Sequence, residues 1–162
     1  MKLKNSNKII TPLLATEKMR SWCAYQERSQ NEARQKIYNF KLDPECVESI
    51  ITELINENFL NDERFAIAFA SGKFRIKHWG KIKIKMALRM HKISDYCIKK
   101  ALQNIDEVEY EKVLINVIEK KIRLTKTTDK RKKYYEIMNY AASRGFESDL
   151  VSEQIKLILD NS

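Results

Sequence analysis

Residues 61–105 carry eleven Lys and Arg side chains but only three Asp and Glu side chains. The flanking stretches are nearly balanced, with nine basic and eight acidic residues in 1–60 and eleven of each in 106–162. Like charges at this density repel one another, and a folded domain keeps them mainly where a polyanion neutralises them. The pattern therefore favours recognition of an anionic partner. The alternative is a lysine-rich face that contacts only water.

The candidate contact residues lie between positions 73 and 92. We expect the surface to comprise Lys73, Arg75, Lys77, Trp79, Lys81, Lys83, Lys85, Arg89 and Lys92. Trp79 could stack on a base or a sugar, although a tryptophan wedged into the core between two helices is the favoured reading. The second basic run, residues 130–133, lies in a neutral region, so we interpret it as the solvated start of a helix.

Residues suited to catalysis or metal binding form no recognisable motif. Cys23, Cys46 and Cys97 lie far apart, as do His78 and His91, so no zinc-ligand spacing is present. The chain has no glycine-rich phosphate loop and no nucleophile paired with a base. We therefore expect a protein that is not an enzyme, requires no metal or cofactor, and keeps its thiols in the core.

The stretch GKIKIKMALRMHKIS, residues 80–94, decides the fold class. Its first half alternates lysine and isoleucine, as a half-buried strand would, and its second half consists of good helix formers. Three Gly and two Pro are too few for the turns of a compact β architecture. We therefore predict an all-α protein in which this stretch is a helix.

On such a helix the side chains of residues 81–90 fall into three stripes. Two stripes are apolar, and the third, lying between them, is basic. We expect both apolar stripes to pack against neighbouring helices and the basic stripe to face solvent. The stripes are, in order, Ile84 with Ala87 and Leu88, Ile82 with Met86 and Met90, and Lys81 with Lys85 and Arg89.

One helix-start pattern occurs three times, at residues 42–47, 93–98 and 146–151. Each copy has an apolar residue, a capping position, acidic residues and a second apolar residue that can form a hydrophobic staple. Asp43 and Ser94 are the expected caps, and Ser29 with Glu32 forms a capping box one helix earlier. Further helices are predicted at about Thr11–Gln26, Asn61–Lys77 and Asp106–Leu124.

These helices predict three tandem three-helix repeats in an elongated, curved array. The expected divisions are a flexible basic tail at 1–10, a first repeat at 11–60, a basic middle repeat at 61–105 and a third repeat at 106–162. No apolar run approaches the ~18 residues of a membrane span. Because Pro12 interrupts the apolar residues near the N-terminus, a signal peptide is not indicated, and we expect a cytoplasmic protein.

The stretch FLNDERFA, residues 59–66, with Phe69, residues 73–75 and Trp79-Gly80, resembles the signature of the RecX family. The segment AYQERS, residues 24–29, together with Glu32, is similar to the corresponding part of that family's first repeat. The resemblance extends from about Thr11 to Leu159. It implies an all-helical bacterial regulator that binds the RecA recombinase filament on single-stranded DNA and restrains strand exchange and ATP hydrolysis in DNA repair.

One departure from the family concerns the turn before each third helix, where the family often has glycine. Only Gly145 keeps it, and Lys41 and Lys92 occupy the other two places. A lysine there must accept a left-handed backbone or tighten the turn.

Two other functions stay open. One is a general helical nucleic-acid-binding protein, since a three-helix unit is compatible with a helix-turn-helix. The other is a helical scaffold that binds only protein. Under the favoured interpretation we expect a monomer whose binding to single-stranded DNA is weak and salt-sensitive.

Overall fold

The computed structural model describes residues 9–162, and these residues form helices and connecting turns without a β-strand. The predicted all-α fold is confirmed, and residues 81–90 form a helix. Residues 1–8, most of the predicted basic tail, lie outside the described residues. The helices are α1 (Pro12–Tyr25), α2 (Gln30–Tyr38), α3 (Pro44–Asn56), α4 (Asp62–Lys77), α5 (Lys81–Met90), α6 (Asp95–Gln103), α7 (Glu107–Leu124), α8 (Lys130–Ser143) and α9 (Ser148–Asp160).

The helices follow the order of three three-helix repeats, which we call the first (α1–α3), middle (α4–α6) and third (α7–α9) repeat. By compactness the chain divides into two units, one ending at Phe65 and the other comprising Ala66–Ser162. The division falls inside the first turn of α4. The exact repeat boundaries and the curved array stay predictions.

The first unit has a core built from the inward faces of α1, α2 and α3. Met19, Ile37 and Leu54, one from each helix, are fully buried there. Cys23 is also buried, and this burial raises the pKa of its thiol to about 11, so the thiol stays protonated at neutral pH. Cys46 and Cys97, which we expected in the core, are only half-buried.

The second unit has an aromatic centre where the middle and third repeats meet. The Tyr110 ring lies 5.7 Å from the Phe74 ring and 5.3 Å from the Phe146 ring, and all three side chains are buried. Around them pack buried aliphatic residues of α5 to α9. These include Ile84, Leu88, Ile98, Leu114, Ile118, Ile137, Val151 and Ile155.

Helix starts follow the predicted capping in most places. Ser29 forms a capping box with Glu32, and Ser94 accepts a hydrogen bond from the Cys97 backbone N–H at 3.3 Å. The prediction for Asp43 is wrong, because its side chain makes no capping hydrogen bond. Pro44, at the first position of α3, has no N–H to be capped and presets the helical φ angle instead.

The turns before the third helices use a left-handed residue in all three repeats. Lys41, Lys92 and Gly145 have φ angles of 59°, 57° and 92°. In the middle repeat the Lys92 and Ile93 N–H groups bond to the Arg89 and Leu88 carbonyls, which is the Schellman pattern. The lysines therefore adopt the backbone conformation that glycine would favour, rather than tightening the turn.

Candidate functional site

The predicted contact residues lie on four consecutive segments of the middle repeat. α4 carries Lys73, Arg75 and Lys77 near its C-terminal end, and Trp79 lies in the connection to α5. α5 carries four of the predicted contact residues, and the turn after α5 carries one more. These five are Lys81, Lys83, Lys85, Arg89 and Lys92.

The start of α5 is positioned by the third repeat. Gly80, the N-cap, offers no side chain for capping, and its N–H donates to the Arg144 carbonyl at 2.8 Å. The Ile82 N–H, one of the free donors of the first helical turn, donates to the Gly145 carbonyl at 3.0 Å. The Arg144 guanidinium in turn donates to the carbonyl of Lys77. The turn between α8 and α9 thus caps α5.

The contact between the start of α5 and the α8–α9 turn requires glycine on both sides. A Cβ atom on Gly80 would overlap the Gly145 carbonyl, and a Cβ atom on Gly145 would overlap Lys83. Gly80 has an ordinary φ angle of −75°, so the requirement there comes from close backbone approach alone. The two turns are packed backbone to backbone, and this fixes the direction in which α5 leaves the α4–α5 connection.

A third donor of the α5 start is capped by a tyrosine. The Lys81 N–H donates to Tyr110 Oη at 3.0 Å, and this hydroxyl donates to Glu147 Oε2 at 2.5 Å. Burial, with the Glu147 carboxylate second, raises the pKa of Tyr110 well above its ordinary range, so the phenol stays protonated and keeps donating.

Lys81 does not face solvent, and this part of the prediction is wrong. Its side chain is only 18% exposed, its ammonium pairs with Glu107 at 2.5 Å, and it lies 4.7 Å from the Tyr110 ring centre. As the first residue of α5 it lies beside the acidic start of α7, which the sequence pattern could not place next to it. Its charge is therefore already neutralised within the protein.

Trp79 is half-buried and is covered by two lysines. The ammonium groups of Lys73 and Lys83 lie 4.8 and 4.7 Å from its ring centre, within cation–π distance. Trp79 is thus neither a fully buried core residue nor a bare stacking platform. It holds two of the predicted contact lysines in place.

The remaining cations are exposed and weakly partnered. Lys77, Lys85 and Lys92 form no ion pair with any carboxylate within residues 9–162. Arg89 lies 3.6 Å from Asp95 and Arg75 lies 3.9 Å from Glu109, long separations between exposed groups. Such pairs contribute little, so these five charges stay available to a partner.

A groove of about 430 Å³ runs between α5 and α6. The basic stripe of α5 forms one side, Lys99 lies on the other, and the apolar side chains of Ile98 and Leu102 also line it. Asp95 and Glu107 lie at its edge, so the groove combines a cationic wall with two carboxylates. It could accept a phosphate or carboxylate group beside Lys85 and Arg89.

The second apolar stripe of α5 is not packed, contrary to expectation. Ile82, Met86 and Met90 are 45%, 62% and 83% exposed, whereas Ile84 and Leu88 on the opposite face are fully buried. One face of α5 covers the core of the second unit, and no other element of the described chain covers the other face.

Within residues 9–162, no group of three or more His, Cys, Asp or Glu side chains is placed to hold a metal ion. Among the same residues no helix is long and apolar enough to cross a membrane.

The comparisons with known proteins agree with one another. The family model described as the second three-helix domain of RecX matches residues 61–102, which span α4 to α6. "Regulatory protein RecX" of Clostridium perfringens (strain 13 / Type A) is 26% identical over 136 residues, covering 83% of this chain and 63% of that protein. The protein of the same name from Clostridium beijerinckii is 28% identical over 134 residues, covering 82% and 62%. The chain is thus similar to RecX proteins along most of its length.

A solved RecX structure shares the fold of this chain. The crystal structure of RecX from Lactobacillus salivarius aligns with a TM-score of 0.84 at 20% identity, over 93% of this chain and 97% of that one. The chain spans less than two thirds of the length of the two clostridial RecX proteins.

Residues of the RecX-like signature at 59–66 form hydrogen bonds within the first unit. Asn61 caps α4 by accepting the Arg64 N–H at 2.9 Å, and Asp62 accepts the Gln30 N–H, at the start of α2, also at 2.9 Å. Burial raises the pKa of Asp62. The Arg64 side chain binds Glu27 at 2.6 Å. In this chain, these three signature residues form hydrogen bonds inside the fold.

Sequence reasoning did not identify the residues that position α5. The sequence marks Gly145 only as a turn residue, and it does not single out Tyr110. One usable signal was the scarcity of glycine, since two of the three glycines in the chain meet at this contact. The hydrogen bond from Tyr110 to Glu147 has no sequence signal, because 37 residues separate the partners.

Proposed function

We propose that this RecX-like protein binds the filament of a RecA-type recombinase on single-stranded DNA and restrains its activity. Support comes from the similarity to RecX proteins, which extends along most of the chain. On this proposal the chain acts by binding, as a non-enzymatic regulator in DNA repair that requires no metal or cofactor.

The observation that carries the proposal is the set of uncompensated cations on the middle repeat. Lys85, Arg89 and Lys92 follow one another along α5 and its C-terminal turn, and all three are exposed. A recombinase filament on DNA presents phosphates, and each phosphate that a lysine or arginine neutralises releases counterions and adds affinity. The groove beside Lys85 and Arg89 offers these phosphates a cationic wall.

Lys81 has a different role in this proposal. Its pairing with Glu107 and its contact with Tyr110 make it part of the connection between the middle and third repeats. The charges that test DNA contact are therefore those of Lys85, Arg89 and Lys92.

The test measures ATP hydrolysis by a RecA-type recombinase on single-stranded DNA, together with binding of the chain to that filament. The wild-type chain should slow hydrolysis. Replacing Lys85, Arg89 and Lys92 by Gln should weaken this effect and lower the log–log salt slope of binding by about two, if all three contact phosphates. A wild-type chain that neither binds the filament nor changes hydrolysis would overturn the proposal.

The matched control replaces Lys130, Lys132 and Lys133 by Gln. This change removes the same number of charges from the start of α8, in a part of the chain whose charge is balanced. The control should keep nearly the wild-type affinity and salt slope. Equal losses in both triple variants would mean that net charge, rather than the middle-repeat surface, drives binding.

A further inference from the structure

The outward face of α5 presents an apolar strip that the phosphate-binding role leaves unexplained. Ile82, Met86 and Met90, which we call the α5 strip, recur every four residues and therefore lie along one side of the helix. They become progressively more exposed towards the C-terminal end of α5, from 45% to 83%. An apolar strip on a charged surface is a feature of interaction sites.

The strip is specific to the middle repeat. The positions equivalent to Ile82, Met86 and Met90 are 51 residues earlier in α2 and 53 residues later in α8. In α2 they hold only amides, and in α8 one aromatic and two polar residues. These are Asn31 and Gln35 in α2 with Asn39 at its C-cap, and Tyr135, Asn139 and Ser143 in α8. The repeat architecture therefore does not require apolar residues at these positions.

Positive charges border the strip along α5. Lys85 and Arg89 lie on one side, and Lys83, held over Trp79, lies on the other. No acidic residue occurs within α5. The complementary surface is thus an apolar strip or groove edged by carboxylates.

These features fit a protein surface better than nucleic acid. Phosphates bind cations and hydrogen-bond donors, and single-stranded bases stack on aromatic side chains, whereas the strip is apolar and not aromatic. The nearby aromatic ring, Trp79, already carries two lysines. Methionine suits protein contacts, because its flexible and polarisable side chain adapts to the opposite surface.

We propose that the α5 strip docks on an acidic, apolar-centred surface of the recombinase subunits in the filament, while the flanking cations of α5 reach carboxylates or phosphates at its edge. This inference rests on the proposed function and names the part of the filament that α5 contacts. The strip supplies protein affinity that does not depend on salt, and the cations supply the salt-dependent part.

The test replaces Met86 and Met90 by Gln. Both positions are exposed, and Met and Gln have similar helix propensities, so α5 should remain folded, as circular dichroism will show. Binding is measured to the recombinase filament assembled on single-stranded DNA and, separately, to the bare oligonucleotide. We expect filament affinity to fall about tenfold or more, which corresponds to about 1.4 kcal/mol, with the salt slope unchanged. Binding to the oligonucleotide should not change.

The matched control replaces Leu124 and Leu157 by Gln, two exposed leucines of the third repeat, and should bind the filament like the wild type. Ile82→Gln is an independent single variant of the strip and should also weaken filament binding.

The outcomes separate the inference from the function on which it rests. Wild-type affinity of the Met86 and Met90 variant for the filament would overturn the inference and leave the proposed function standing. An equal loss on the bare oligonucleotide would overturn it as well, because the strip would then contact DNA. A wild-type chain that does not bind the filament would overturn both.

Discussion

The first and middle repeats share one helical design but differ in how closely their surface arginines are paired. In the first repeat, Arg20 reaches both Glu53 and Glu57, at 2.6 and 2.8 Å, and Arg34 reaches Glu48 at 2.6 Å. In the middle repeat, the exposed lysines of α5 and its C-terminal turn have no such partner, and Arg89 lies 3.6 Å from Asp95. Arg89 is therefore less engaged within the protein than Arg20 and Arg34, and more of its charge is available to a partner.

The same two repeats also cap their second helices differently. Ser29 caps α2 with its own side chain. At the equivalent position 51 residues later, Gly80 has no side chain, and the third repeat supplies the hydrogen-bonding groups through Gly145 and Tyr110. Capping of α2 is largely local, whereas capping of α5 depends on distant parts of the chain. The following predictions test both contrasts.

The largest effect should follow from Gly80→Ala. The added methyl group would overlap the Gly145 carbonyl, a backbone atom that cannot move without shifting the α8–α9 turn. We expect a loss of about 3 kcal/mol in the free energy of unfolding, at the upper end for overpacking. Urea unfolding followed by circular dichroism measures this loss.

The control is Gly72→Ala in α4, where no atom lies within 4 Å of the added methyl group. Alanine in a helix interior should stabilise the protein by about 1 kcal/mol. If both variants changed stability by similar amounts, the close approach of the two turns would have no energetic importance.

The next largest effect should follow from Tyr110→Phe. This change removes the acceptor of the Lys81 N–H and the donor to Glu147, leaving both groups unpaired in a partly buried site. We expect the free energy of unfolding to fall by about 2 kcal/mol, as measured by urea unfolding. Ser29→Ala should cost about 1 kcal/mol, because it removes a single cap. An equal or larger cost for Ser29→Ala would contradict the distinction between distant and local capping.

Two substitutions probe the left-handed residue that the first and middle repeats share in the turn before their third helices. Lys41→Gly and Lys92→Gly should each stabilise the protein by about 0.5 kcal/mol, because glycine relieves the left-handed backbone at φ near 60° but loses more chain entropy on folding. Thermal unfolding of the two single variants provides the measurement. Lys99→Gly, inside α6, is the control and should destabilise by about 1 kcal/mol. Destabilisation by the first two changes would refute the strain argument.

The smallest effect should be the coupling energy of the ion pairs Arg34–Glu48 and Arg89–Asp95. Because Arg34 and Glu48 are partly exposed, a double-mutant cycle should give a coupling of about 0.5 kcal/mol at pH 7, and the Arg89–Asp95 cycle should give nearly zero. The hydrogen bond from Arg34 lowers the pKa of Glu48 below its ordinary value of 4.5. The coupling should therefore be complete above about pH 5 and disappear as the pH falls through the lowered pKa. Equal coupling in the two cycles would remove the contrast between the repeats.

Much of the fold could be predicted because its signals are local. The spacing of Ile84 and Leu88 predicts a buried helix face, and Ser29 and Ser94 mark helix starts through hydrogen bonds that span three residues. At Lys41 and Lys92 the sequence left two possibilities, a left-handed residue or a tightened turn, and the structure shows the left-handed residue. Each of these features depends on neighbours within about two helical turns, and the sequence displays those neighbours directly.

The candidate site could be predicted in outline only. Its location in the middle repeat follows from the charge distribution, which is a property of composition. Which lysines are available does not follow, since Lys81 and Lys85 are equally basic in the sequence, yet one pairs with Glu107 and the other stays exposed. The sequence also could not show that Ile82 and Met90 remain uncovered, because apolar residues at helical spacing usually pack.

By itself, the sequence determined the helices, the local caps at Ser29 and Ser94, the three-fold recurrence and the basic character of residues 61–105, because hydrophobic period, local capping chemistry and charge are encoded over short distances. The tertiary structure alone decided that the third repeat caps α5, that Trp79 holds two lysines and that one apolar face of α5 stays open. These outcomes depend on which distant segments meet. Contacts such as Gly80 with Gly145 join residues 65 positions apart, and the side chains at each end carry no mark of their partner.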